Sequence, residues 1–165
     1  MIKTIKLAIC LLSLLPNYCL AQYCKDGIGE QLDRYVEIEH GVILDKLTNL
    51  EWMKCSIGLY GDHCELGMIE TFQIHKAFDK VGKINSMLER KWRLPTIKEL
   101  ASIRKEGCVK PAVELSVFPN TRSAWYWTST ADRSYYSYVD FSVGYIGEED
   151  MYLSNLIRLV RNHEK

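Results

Sequence analysis

The sequence holds one long apolar run and lacks a second. Residues 7–15 are almost wholly apolar, and no later stretch approaches the roughly 20 residues of a membrane-spanning helix. A charge excess is also missing, with 21 Lys and Arg against 21 Asp and Glu, which argues against a nucleic-acid binder. No internal repeat or low-complexity tract is present, so the pattern is not that of a stacked repeat array. Catalytic motifs are absent too. His40, His63, His75 and His163 stand in no local motif, and Ser129 lacks the setting of a nucleophile elbow. Gly27-Ile28-Gly29 is too short for a nucleotide-binding loop. Nothing in the residue pattern implies a cofactor.

What is present begins with the first 21 residues. Lys3 and Lys6 precede the apolar run, Pro16 and Asn17 break it, and Ala21 offers a small residue before Gln22. This is the form of a secretory signal peptide, cleaved after residue 21. An uncleaved membrane anchor is the competing reading. A lipoprotein site at Cys19 is disfavoured by the bulky or rigid Pro16, Asn17 and Tyr18 before it. Cleavage would take 21 residues from 165 and leave 144, enough for one domain with its own core. Because the signal carries two of the 21 basic residues and none of the acidic ones, the mature net charge is 19 minus 21, or −2. The predicted location is secreted or periplasmic.

Four cysteines remain after cleavage: Cys24, Cys55, Cys64 and Cys108. An even count in an exported chain points to two disulfides, and four cysteines allow three pairings. Cys55 and Cys64 flank a polar, glycine-bearing segment and could close a small loop. Cys24 would then tie the front of the mature chain to Cys108. Metal binding through Cys55, His63 and Cys64 is the alternative, although adjacent His and Cys are not a usual zinc spacing.

Along the chain, Tyr35, Val36 and Ile38 predict a strand, with a turn at Gly41. Residues 42–44 and the alternating Leu50 and Trp52 predict a hairpin about the turn-forming residues 45–49, with Trp52 in the core. Ile74, Ala77, Phe78 and Val81 recur at helical spacing, so residues 70–81 predict a helix. Thr71 would cap it, and Gly82 would stop it unless Ile84, Met87 and Leu88 carry it further. In the central stretch Trp92-Arg93-Leu94-Pro95-Thr96, Pro95 makes a rigid corner. Thr96 and Glu99 form a capping box that opens a second helix, ending near Gly107. Residues 111–119 read as loop. Residues 125–128, 135–143 and 156–161 read as strands, with turns at 131–134 and 144–150. Strands, two helices and a mainly antiparallel sheet define an α+β fold.

The aromatic segment Trp125-Tyr126-Trp127, with Tyr135, Tyr136 and Tyr138, is the best candidate binding surface. Alternation would set one face in the core and turn the other to solvent, where tyrosine suits sugars or protein interfaces. Packing within the sheet is the competing reading. Arg93, Arg122 and Arg133 could hold sulfate or carboxylate in bidentate fashion. Asp132, Asp140, Glu148, Glu149 and Asp150 could include a catalytic carboxylate pair or a cation-binding turn, but solvated turn residues explain them more simply. No metal site is predicted.

Several motifs occur in order: Asp45-x-x-Thr48-x-Leu50-x-Trp52-Met53-x-Cys55; Trp92-Arg93-Leu94-Pro95-Thr96-x-x-Glu99-Leu100; Phe118-Pro119-Asn120-Thr121; Tyr126-Trp127-Thr128-Ser129-Thr130; Val139-x-Phe141-x-x-Gly144; and Ile157-Arg158-Leu159-Val160-Arg161. The ordered set resembles the Lcl C-terminal domain family over roughly residues 41–161, leaving residues 22–40 as an extension and 162–165 as a tail. The resemblance implies a compact α+β domain related to the C-type-lectin-like and formylglycine-generating-enzyme folds. It also implies a bacterial, exported protein. Some family members end collagen-like surface adhesins and are associated with sulfated polysaccharides, but this chain has no Gly-x-y tract. Within the family signature, Trp92, Arg93, Leu94, Pro95, Thr96 and Glu99 read as structural, as does Trp52. Phe118-Pro119-Asn120 lacks the first ligand of a lectin calcium site, and the cysteine pattern is not that of the formylglycine-generating enzymes, so neither activity transfers with the fold.

The sequence therefore predicts an exported binding or interaction domain for a polysaccharide or an envelope or cell-surface partner. A structural or accessory envelope role, and an enzyme or enzyme inhibitor, are the alternatives.

Overall fold

The computed structural model describes residues 22–29 and 31–164; the predicted signal segment, with Cys10 and Cys19, lies outside them. Short strand β1 (Tyr23–Cys24) opens the described chain. Strands β2 (Tyr35–Glu39), β3 (Val42–Asp45) and β4 (Leu50–Met53) follow. Asp45 shapes the turn between β3 and β4. It accepts hydrogen bonds from the Leu47 amide at 3.0 Å and the Thr48 hydroxyl at 2.7 Å, while Arg34 forks onto both its oxygens. Asn49 closes the turn in the left-handed region, at φ 56°. The Asp45-x-x-Thr48 motif is thus a side-chain turn lock, and Trp52 beyond it is fully buried.

Strands β5 (Leu59–Tyr60) and β6 (Leu66–Gly67) form a small ribbon within and beyond the segment closed by the Cys55–Cys64 disulfide. Helix α1 (Ile74–Leu88) passes straight through Gly82. It buries Ile74, Ala77 and Val81. Two details differ from the sequence reading. Thr71 does not cap the helix; Gln73 takes the N-cap position without a capping side-chain bond. Phe78 stays on the shoulder of the apolar face, 44% exposed.

After Pro95, α2 (Ile97–Ser102) starts from a complete Thr96/Glu99 capping box. It is shorter than its pattern suggests. Arg104 bridges to Val113 and the Lys105 amide donates to the Ala112 carbonyl, so backbone groups that would continue the helix are used by a neighbouring segment. The chain then reaches β7 (Cys108–Val109), which pairs with β1 so that Cys24 lies opposite Cys108 and is disulfide-bonded to it.

Strands β8 (Trp125–Asp132), β9 (Tyr135–Asp140) and β10 (Tyr145–Asp150) make a three-stranded antiparallel sheet. The acidic stretch expected as a turn is therefore a strand, because residues 145–150 pair in unbroken register with β9. The preceding turn falls at residues 141–144, so β9 stops at Asp140. Likewise β8 runs through Ala131 and Asp132, and the chain reverses at Arg133 and Ser134. The last strand, β11 (Val160–Asn162), completes a sheet of order β11-β4-β3-β2. Residues 156–159, expected within it, cross between the two sheets instead. The Leu156 carbonyl accepts from Trp127, that of Ile157 from Ile57, and that of Leu159 from Met53. Among the described residues the domain is thus α+β, with two α-helices and antiparallel sheets.

The interior has two clusters separated by the strands themselves. Ile43, Trp52, Tyr126, Val139 and Val160 share one cluster with Leu100 and Phe118. Val42, Trp127, Tyr138, Ile157 and Leu159 share the other with Ile74 and Trp92. Chain neighbours such as Tyr126 and Trp127 enter opposite clusters because successive strand side chains point to opposite faces. Fully burying each large apolar side chain contributes about 1.5–3 kcal/mol. The sequence expectation of one buried and one solvent face fails at the centre of β8 and β9, where both faces are covered.

One charged residue sits at the junction. Arg158 is fully buried. Its guanidinium donates to the carbonyls of Met53 and Lys54, to Ser56 Oγ at 3.3 Å and to Thr121 Oγ1 at 2.7 Å. It lies 4.8 Å over the Phe118 ring. Burial pushes it down to about 10, so it stays charged at neutral pH. Ser56 in turn bonds the Tyr126 hydroxyl at 2.9 Å, which also accepts from the Arg122 amide.

Replacing Arg158 with Met should cost about 3 kcal/mol or more, since it strands several buried acceptors at once. A lysine there should restore little, because a single ammonium cannot fork across the same carbonyls. The shift of the urea midpoint at unchanged slope measures both. Peptide mapping of the non-reduced protein should recover Cys24 linked to Cys108 and Cys55 linked to Cys64; any other linkage contradicts the pairing.

Candidate functional site

The end of α1 builds one wall of a groove. After Leu88 the chain turns sharply at Glu89, in the left-handed region at φ 51°, and sends Arg90 and Lys91 outward. Asn85 then clamps the next residue. Its Nδ2 donates to the Trp92 carbonyl and its Oδ1 accepts from the Trp92 amide, both at 2.8 Å. This reciprocal pair fixes the Trp92 ring in the core, with the Arg161 guanidinium 4.5 Å above it. The tryptophan of the central motif therefore serves as the floor on which a strand arginine rests.

Arg161 continues a chain of charges. Its Nε donates to Glu51, its terminal nitrogen reaches Glu39 at 3.3 Å, and Arg90 approaches Glu39 at 3.5 Å. His163 Nδ1 lies 2.6 Å from the other Glu51 oxygen. Burial alone would raise the Glu51 carboxyl, but the hydrogen bonds from His163 and Arg161 outweigh it and hold the group below its usual value. Alongside, Arg93 forks onto Glu99 at 2.7 and 2.8 Å and also donates to Asn162. Arg93 thus braces the capping box.

Two clefts meet here. One, of about 430 Å³, is polar and places Glu39, Glu51, Glu89 and Glu164 against Arg90, Lys91, Arg93 and Arg161. The other, of about 460 Å³, is more apolar, with Val42, Met53, Ile57, Leu59 and Leu88 beside the exposed ring of Tyr60. Both are lined by the ion-paired Glu39, Arg90 and Arg161, so they lie side by side as two parts of one groove region. One wall is the start of the loop closed by Cys55 and Cys64. Because its charges balance, the groove offers forked donors and acceptors without a strong net field.

The sequence-predicted surface is dispersed. Tyr135 and Arg133 are exposed at the β8–β9 tip. Arg122 is exposed three residues before the other end of β8, which spans about 23 Å at a strand's rise; Arg122 and Arg133 do not converge. Tyr136 packs edge-on against Phe78 and Trp127. Tyr138 is only 7% exposed, correcting its place on an open surface. Its ring stacks on Trp125 at 4.4 Å and crosses the space over Gly147, where an added Cβ would fall 2.5 Å from its hydroxyl. Among the described residues no three His, Cys, Asp or Glu side chains converge as a metal site. Sequence reasoning did not find Glu39, Tyr60, Arg90 or Arg161 as groove residues, because they come from four separate segments and share no spacing.

The stability contributed by Glu51 depends on pH in a definite direction. A carboxyl held lower in the folded than in the unfolded chain contributes fully above the usual carboxylate range and loses that contribution as pH falls through its folded value. Glu51→Gln should therefore lower stability at pH 7, and the gap to the parent protein should close on acidification. Urea midpoints measured from pH 7 to pH 3 check this; a gap that stays constant contradicts it.

The sequence motifs now have structural roles: a turn lock at Asp45, a floor at Trp92, a capping box at Thr96 and Glu99, and the Arg158 junction. No curated protein and no solved structure matches the chain. A family model described as the Lcl C-terminal domain matches residues 41–161, a span that holds all four of these features. The chain belongs to the Lcl C-terminal domain family.

Proposed function

We propose that this protein is an exported binding domain whose groove takes a polysaccharide or a glycan-bearing cell-surface partner. The observation that carries the reading is the adjacency of a polar and an apolar cleft that share Glu39, Arg90 and Arg161. Neighbouring polar and apolar clefts suit a chain of sugars, whose rings present both kinds of surface. The exposed Tyr60 ring supplies an apolar face for a pyranose, and the arginine and glutamate heads supply donors and acceptors for hydroxyls. Balanced charge favours uncharged glycans over sulfated ones at this site. The export reading rests on the signal-like residues 1–21 and on two disulfides, which persist in oxidising compartments. Among the described residues no helix is long and apolar enough to cross a membrane.

The test is binding of the oxidised residues 22–165 to an array of neutral, carboxylated and sulfated polysaccharides, followed by titration calorimetry of any hit. Saturable binding of a neutral glycan, weakened about tenfold by Tyr60→Ala or Arg90→Ala and little changed by salt, supports the groove. Binding confined to sulfated glycans and abolished by salt places the contact elsewhere.

A further inference from the structure

We infer that the outer edge of β10 accepts an extended, basic segment of a partner polypeptide as a fourth strand of its sheet. The sheet order is β10-β9-β8, and β8 is covered on its far side by Leu156, which exchanges backbone bonds with Trp125 and Trp127. β10 is the open edge. The Met151 amide donates to the Ser134 carbonyl, so by alternation Tyr145, Gly147 and Glu149 bond to β9 while Ile146 and Glu148 point their amides and carbonyls outward. No hydrogen bond to those outward groups occurs among the described residues.

This edge lacks several of the usual protections, and its charges are all acidic. It is six residues long, pairs with β9 without a bulge, and contains no Pro or Lys. Its side chains instead define what can dock. One face carries Tyr145 and Glu149, the other Ile146 and Glu148, and Tyr145 is 60% exposed. Each face thus pairs an apolar or aromatic side chain with a carboxylate. Within the three strands and their turns Asp132, Asp140, Glu148, Glu149 and Asp150 stand with one basic residue, Arg133; Arg104 reaches the β9–β10 turn from outside but donates to the Gly144 carbonyl, and none of these five acids enters an ion pair among the described residues. A second copy pairing through its own β10 would bring carboxylates against carboxylates. A strand alternating apolar and basic residues meets the opposite condition: backbone bonds to Ile146 and Glu148, apolar contact at Ile146, and cations beside Glu148, Glu149 and the Tyr145 ring. This site is separate from the groove and does not depend on its occupant.

The probe is a short fluorescent peptide of alternating valine and lysine, with a valine–glutamate peptide as control, titrated into the oxidised mature protein. The expected result is saturable binding of the basic peptide alone, with the Ile146 and Glu148 amides newly protected from hydrogen exchange. Glu148→Lys should weaken it about tenfold. Glu148→Pro, which removes an outward donor together with the carboxylate but no bond to β9, should abolish the new protection at Ile146 while the β9–β10 bonds remain protected. Failure to bind, equal binding of both peptides, or binding without protection of those two amides overturns the inference; dimerisation through the same edge overturns the choice of occupant.

Discussion

A buried guanidinium without a carboxylate partner holds this domain together. Arg158 lies in the segment that crosses between the two main sheets, and its donors reach the exit of β4, the loop at Ser56 and the turn at Thr121. A charge taken out of water is costly unless its hydrogen-bonding groups are met. Here carbonyls and hydroxyls meet the two terminal nitrogens and the Phe118 ring lies against the guanidinium, while Nε is left without a partner among the described residues. That requirement correlates parts of the sequence far apart in the chain. Met53 must expose its carbonyl, Thr121 must turn inward, and Tyr126 must complete the Ser56 hydroxyl. An apolar residue at 158 could fill the space but could not join these segments.

The same closing segment sets the groove. Once Arg158 is pinned, the alternation of a strand sends Arg161 to the opposite side from Val160, which enters the core opposite Trp52. Arg161 then lies on Trp92, itself clamped by Asn85 at the end of α1. Core, helix end and groove are thereby coupled through a few residues. The two disulfides act at other points: one ties β1 to β7, and the other closes the loop that walls the apolar cleft. Each restricts the unfolded chain, by about 2–4 kcal/mol in typical cases.

Several elements were legible in sequence because their information is local. The Thr96/Glu99 capping box needs only residues three apart, and α1 needs only its Ile74, Ala77, Val81 spacing. The hairpin about Asp45 carries its own turn chemistry. Where the reading failed, a distant partner decided. Residues 144–150 look like a turn from their glycines and acids, yet β9 offers 145–150 a full ladder and leaves only Gly144 in the turn. Tyr138 alternates onto a face that pattern alone leaves open, yet Trp125 covers it and Gly147 makes room for it. α2 ends early because residues 112–113 take its next backbone groups.

By itself the sequence determined the α+β class, the capped second helix, the turn lock at Asp45 and the family membership, since each rests on residues close together or on an ordered set of motifs. Tertiary structure alone decided the groove, the buried state of Tyr138 and the open edge of β10. Those depend on which segments meet across the fold: Glu39, Tyr60, Arg90 and Arg161 share no period in the chain, and only the packing of α1 and the closing strand about Trp92 and Arg158 brings them onto one surface.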